Sequence, residues 1–310
     1  MRIKNMKKVL SIILIITVLQ GIFIAYAVAN EQKLSAIKTV LSSVFGTEPE
    51  EQLEDTNGKM KDSIVKANKP PKKEIDTSNI EVSEEVLNNI RSSDPGNAEK
   101  NMRNYKKLLA EFNVDKQFSQ EIEKAIKNGY NAPDIFAAYD FLNENYGQIS
   151  ELDELLKNKK KGLPWSDVFK EYEDIHKEFK PRNFEAGVIE KLLKDSVLTA
   201  DDVMIADRIS QKGLKGFEEL LNLRKEGKTW AEINIGLGIV NMQSKFPRFA
   251  VTSDQVRVYV KTRGLTEDQV INAIVIAQKM EREEDEIIDK VKSGKKKEDI
   301  YSLCYEEKYK

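Results

Sequence analysis

Apolar residues recur at every third or fourth position along most of this chain, in short stripes that stop and restart. That spacing is the signature of amphipathic helices, each of which buries one face. Ahead of the main body, Leu34, Ile37, Leu41 and Val44 follow a 3-4-3 spacing and predict a short helix. From Ser83 onward the stripes become continuous. Helices are predicted over 84–92 and 98–111, separated by Asp94-Pro95-Gly96, with Met102, Tyr105, Leu109 and Phe112 marking the second stripe.

The stripes repeat at long range. Phe112, Phe179 and Phe246 are evenly spaced, and each lies in a similar segment: EFNVDKQF at 111–118, EFKPRNF at 178–184 and KFPRF at 245–249. A fixed period of this size marks a chain built of repeated supersecondary units. Within it, six heptapeptides share one design: GYNAPDI (129–135), GLPWSDV (162–168), VLTADDV (197–203), GKTWAEI (227–233), GLTEDQV (264–270) and GKKKEDI (294–300). Glycine past a helix end takes the left-handed conformation that closes the helix. Two residues on, Asn131, Thr199, Thr229 and Thr266 can accept the free N–H groups of the next helix, and Asp202, Glu232 and Gln269 complete capping boxes. Val197 departs from the glycine rule, and Pro164 and Lys296 from the cap rule. A glycine stop followed so closely by a cap predicts a tight αα-hairpin.

The hairpins alternate in type. One set aligns at Ile135, Val203 and Val270, the other at Val168, Ile233 and Ile300, so the unit is a pair of hairpins present three times. Short helices are marginal alone and gain their burial by stacking on neighbours. The fold expected is all-α, an array of helical hairpins that is α-solenoid-like or compact. The expected boundaries are a helical N-terminal cap at 80–111 and repeats at 112–178, 179–245 and 246–310. Lys297 stands where the other repeats carry Trp165 and Trp230, which suits a polar C-terminal cap.

The segment 1–29 changes the picture of where the protein works. Lys7-Lys8 precede a charge-free run from Val9 to Ala29 that ends Ala27-Val28-Ala29, as an export signal does. Cleavage would fall between Ala29 and Asn30, while the length also suffices for an uncleaved membrane anchor. Either way the remainder is expected outside the cytoplasmic membrane, secreted or tethered. The helix at 30–46 could lie on the membrane surface, pair with a partner helix or dock on the body. Residues 47–79, acidic then basic around Pro70-Pro71, read as a flexible charged linker.

Charge and composition narrow the chemistry. Setting aside Arg2, Lys4, Lys7 and Lys8 reduces the 50 Lys and Arg to 46, against 52 Asp and Glu. That balance is no electrostatic footprint for nucleic acid. GKTWAEINIGLGI at 227–239 resembles the turn and second helix of bacterial helix-turn-helix proteins, which would imply DNA contact through that helix. Export, the acidic body and the reuse of this turn in other hairpins argue against it. A single cysteine, Cys304, and a single histidine, His176, exclude a disulfide framework and Cys- or His-rich metal sites. His176 reads as a helix-surface residue. The glycines are single caps, with no phosphate-cradling loop. No cofactor and no metal are expected, and no catalytic residue is assigned.

Candidate partner contacts remain. Trp165 and Trp230 hold equivalent places beside turns, where they either anchor the hairpin or form a ligand groove. Phe179, Phe184, Phe246 and Phe249 flank Pro181-Arg182 and Pro247-Arg248, and are expected to staple one unit to the next. Arg182 and Arg248 are then expected to point outward toward a partner. The function expected is an exported protein-protein interaction or scaffold module at the bacterial cell envelope. The alternatives are a carboxylate-dependent enzyme acting on cell-wall polymer and a self-assembling structural envelope protein.

Overall fold

The computed structural model describes residues 75–194 and 197–309. The Val9–Ala29 run, the Ala29-Asn30 junction, the helix expected at 30–46 and most of the linker expected at 47–79 lie outside the described residues. Within them the chain is all-helical. It forms fourteen α-helices, two single-turn 3-10 helices and one isolated bridge, between Gln148 and Ile239. The helices are α1 (Glu84–Ser93), α2 (Ala98–Glu111), α3 (Lys116–Lys127), α4 (Ala132–Glu144), α5 (Leu152–Lys160), α6 (Trp165–Ile175), α7 (Ala186–Lys194), α8 (Ala200–Gln211), α9 (Phe217–Lys225), α10 (Trp230–Leu237), α11 (Ser253–Arg263), α12 (Glu267–Lys279), α13 (Glu284–Lys292) and α14 (Lys297–Tyr309).

Local chemistry sets the breaks. The glycines of the predicted turns, 129, 162, 227, 264 and 294, all have φ between +70° and +95°. Thr199, Thr229 and Thr266 each accept from the N3 amide while Asp202, Glu232 and Gln269 reach back to the cap amide, so the three boxes form as the spacing predicts. Thr252 and Gln255 form a fourth. Asn131 occupies an N-cap position without a side-chain cap bond. Where no glycine is available, Asn113, Tyr146 and Glu281 take the left-handed conformation after α2, α4 and α12.

Packing divides the chain into two compact units, each with its own set of helices. One comprises Lys72–Phe246 with Lys295–Lys310, and among the described residues the other comprises Pro247–Gly294. The larger unit is built on α4, which is buried along nearly its whole length from Ala132 to Asn143. Helices α2, α3, α5 and α14 pack against it. A second cluster joins Leu198, just ahead of α8, and Ile205, Ile209, Leu220, Leu221, Trp230 and Ile233 from α8, α9 and α10 to Tyr146. In the smaller unit α12 packs on both α11 and α13, burying Val270, Ala273, Ile274, Ile276 and Ala277. There Arg263 pairs with Asp285 at 2.8 Å and Asp289 at 3.2 Å, and Gln255 donates to Glu284 at 2.7 Å.

The C-terminal helix departs from expectation. Lys297 does not mark a polar capping end: α14 packs on α4 and α6 of the larger unit, and Lys297 pairs with Glu173 at 2.9 Å. The reason lies in a second stripe on that helix. Ile300, Cys304, Tyr305 and Tyr309 fall on one face and are buried, with Tyr305 against Phe169 (5.6 Å) and Tyr309 against Phe136 (5.9 Å). Burying one such side chain contributes about 1.5–3 kcal/mol, which outweighs exposure of a single lysine. Residues 246–310 are thus shared between the two units, with α11–α13 in one and α14 in the other.

Candidate functional site

The side chains singled out by sequence divide sharply once placed. Trp165 and Trp230 are each 1% exposed, so neither ring offers a stacking face to a partner. Both serve as anchors between helices, Trp165 from α6 to α4 and Trp230 from α10 to α8. The Trp230 indole N–H donates to the Asp202 carboxylate at 2.7 Å, and that of Trp165 donates to Asp134 at 3.3 Å. The same contact recurs because the carboxylate stands in the third position of α4 and of α8, and the indole in the first position of α6 and of α10. The corresponding positions of α12 and α14 carry Gln269 and Lys297, and Lys297 turns to Glu173 instead.

Arg182 is exposed, but its donors are engaged within the unit. Its main-chain N–H and Nε donate to Asp207 at 2.8 and 2.6 Å, Nη2 donates to Ser210, and the guanidinium lies 4.7 Å from the Phe217 ring. Asp207 is wholly buried and needs a charged donor, which this junction supplies. Beside it, Gln211 donates to the Lys180 carbonyl at 2.7 Å and holds the extended segment on α8. In the smaller unit Gln278, one phenylalanine period after Gln211, donates to the Ala250 carbonyl at 2.7 Å in the same way. Arg248 is exposed at the start of that unit.

Two buried acids escape the cap logic. Asp140 on α4 and Asp207 on α8 stand one phenylalanine period apart and are 4% and 0% exposed. Asp207 draws its donors from the adjoining junction, whereas Asp140 draws Lys308 (2.9 Å) and Tyr309 (2.7 Å) from the C-terminal helix. The sequence signal for both is an acid set inside an apolar stripe at that same period.

Beyond α4 the chain makes a crossing that local patterns do not foreshadow. Ile149 N–H donates to the Gly238 carbonyl at 2.8 Å and Val240 N–H to the Gly147 carbonyl at 3.0 Å, so the loops after α4 and α10 run antiparallel for a few residues. Asn241 donates to the Asn143 carbonyl (3.0 Å) and Asn234 to the Asn241 carbonyl (2.6 Å), all three being buried. Gly147 is fixed sterically. A Cβ there would lie 2.5 Å from Leu142 Cδ2 and 2.9 Å from the Tyr172 hydroxyl. Gly147→Ala should therefore destabilise the protein by about 1–3 kcal/mol, seen as a lower urea midpoint with unchanged slope.

A cluster of titratable groups sits on this crossing. Glu151 accepts from Gln148 N–H (2.7 Å) and the Tyr172 hydroxyl (2.9 Å), and His176 Nε2 lies 3.0 Å from its other oxygen. His176 is thus no free surface residue; it follows α6 and stacks on Tyr172 at 4.1 Å. Burial, with Glu151 beside it, pushes the Tyr172 hydroxyl well above the usual phenol range. Arg208 on α8 donates Nη2 to the Glu144 carbonyl at 2.8 Å, and three rings surround its guanidinium: Tyr146 at 4.5 Å, Phe179 at 5.6 Å and Phe246 at 5.9 Å. Two members of the phenylalanine ladder, Phe179 and Phe246, meet each other here at 5.8 Å. They join two junctions through a common cation. One turn further on, Lys212 is half-buried, and burial holds its ammonium below the ordinary lysine range despite Glu151.

Among the described residues no group of three His, Cys, Asp or Glu side chains is placed to hold a metal ion, and no helix is long and apolar enough to cross a membrane. No family model, no curated protein and no solved structure matches the chain.

Proposed function

We propose that the protein is an exported, non-catalytic helical-repeat module that binds another protein at the bacterial cell envelope, held there or released by residues 9–29. In this reading the body is three repeats, 112–178, 179–245 and 246–310, each of two hairpins, in a solenoid-like or compact array. The observation that carries it is how the recurring polar residues are used. Threonines cap helices, tryptophans bond to carboxylates, and Asp202 and Asp207 are each saturated by neighbouring donors. Such chemistry builds a rigid scaffold and leaves partner recognition to side chains that do not repeat. The same saturation disfavours an enzyme working through paired carboxylates, which needs an acid free to exchange a proton.

Cross-linking of the full chain in the producing cell, followed by recovery from the envelope fraction, tests this reading. A single saturable partner is expected in that fraction. Recovery of the chain from the cytosol with Met1 at its N-terminus overturns it, as does recovery without any saturable partner. Turnover of cell-wall polymer, lost on a single Glu or Asp replacement, would favour the enzyme instead.

A further inference from the structure

We propose that Arg208, in the last turn of α8, and Lys212, the residue that follows the helix as its C-cap, form a recognition site for a carboxylate, supplied by an acidic side chain or chain terminus of the protein partner. The inference rests on the interaction reading above and names the chemistry of what is bound. Residues four apart on a helix share a face. Neither cation makes an ion pair with any described residue, whereas in the same unit Arg182 pairs with Asp207, Arg224 with Asp202 and Lys297 with Glu173. Arg208 is also preorganised. The Glu144 carbonyl fixes Nη2, and the Tyr146, Phe179 and Phe246 rings hold the guanidinium plane, so its remaining N–H donors are aimed but unpaired. Phe179, Phe246, Arg208 and Lys212 are all half-buried, so the site is reachable and yet poorly hydrated.

Nearby acids do not already fill this role. Glu151 is held by Gln148, Tyr172 and His176, and Glu144 and Glu178 act on Arg208 only through space. Desolvation and the charge of Arg208 both work against the Lys212 ammonium, and an arriving anion would relieve both. A carboxylate suits the place better than a phosphate. It is planar, matches the guanidinium edge with two oxygens and brings one negative charge among aromatic walls and three acids, where a dianion would meet more desolvation and more repulsion.

Competitive acetylation of the full chain, read lysine by lysine by mass spectrometry, tests this directly. Acetate and a short blocked Asp-Glu peptide are the probes, at constant ionic strength, with inorganic phosphate as the comparison. A carboxylate beside Lys212 should raise its pKa by about one unit and slow its labelling roughly tenfold. The other lysines should label unchanged, and the protection should be lost in Arg208→Met. If Arg208→Met fails to fold, Arg208→Lys, which keeps the charge but not the fork, should weaken it instead. Unchanged Lys212 labelling at saturating acetate and peptide overturns the site while leaving the envelope-partner reading to its own cross-linking test. Stronger protection by phosphate overturns the carboxylate assignment.

Discussion

Replacing Lys308 by methionine and Tyr309 by phenylalanine together should destabilise the protein by about 3–5 kcal/mol, the range seen when one side of a buried charge pair is removed. The effect arises at the other end of the contact. Asp140 is 4% exposed on the central helix α4, and its carboxylate is met by Lys308 Nζ at 2.9 Å and Tyr309 Oη at 2.7 Å. Without them a carboxylate remains in a site that excludes water. Asp140→Asn in the same background should recover most of the loss, because the stranded charge is then gone. Urea unfolding of the four species closes the cycle; purely additive losses would show that Asp140 does not depend on the C-terminus. Burial alone would depress Lys308, but Asp140 and Glu111 hold its ammonium well above the ordinary lysine range. A raised lysine pKa gives stability that is fully present below the unfolded value near 10 and is lost only above it. Lysine deprotonation should therefore add no pH dependence to the difference between wild type and the double variant below about pH 9.

Asp202→Ala is expected to lower stability by a similar amount, about 3–5 kcal/mol, for a different reason. One buried carboxylate there organises three elements. It accepts from Arg224 Nε (2.7 Å) and Trp230 Nε1 (2.7 Å), and from both the amide (2.8 Å) and hydroxyl (2.7 Å) of Thr199. Removing it breaks the reciprocal half of the α8 capping box, strands a buried indole N–H and frees a half-buried guanidinium. Burial acts to raise the Asp202 pKa, yet the bonds from Arg224, Thr199 and Trp230 outweigh it and hold the group below the usual carboxylate range. A depressed carboxylate contributes stability above its unfolded value near 4 and loses it as pH falls further. The acid limb of the wild-type stability curve should be correspondingly flatter in Asp202→Asn. An equally steep limb in that variant would mean another acid governs the transition. Asp134→Ala should be much milder, since its bond to Trp165 is longer, at 3.3 Å, and its side chain is only half-buried.

What the sequence made legible is what acts over a few residues. Gly129, Gly162, Gly227, Gly264 and Gly294 were readable as left-handed stops because only glycine sits there without strain. The Thr199–Asp202, Thr229–Glu232 and Thr266–Gln269 boxes were readable because cap and partner lie three residues apart. The α14 stripe escaped notice because Lys297 opens the helix and Glu306, Glu307 and Lys308 crowd its end, while the buried face shows only as Ile300, Cys304, Tyr305 and Tyr309. The Arg208 collar escaped for a stronger reason: its rings come from residues 146, 179 and 246, in three segments far apart along the chain.

By itself, then, the sequence determined the helices, their stops and caps, and the even rhythm of Phe112, Phe179 and Phe246, since each follows from backbone hydrogen bonding and burial within a turn or two. Only the tertiary structure decided which charges met. It brought Lys308 to Asp140 across 168 residues, Arg182 to Asp207 across 25, and Phe179 against Phe246 around Arg208. A buried carboxylate requires a cation but does not specify which one. That choice belongs to the packing of whole helices, whose large apolar faces, rather than any single charge, fix where each side chain arrives.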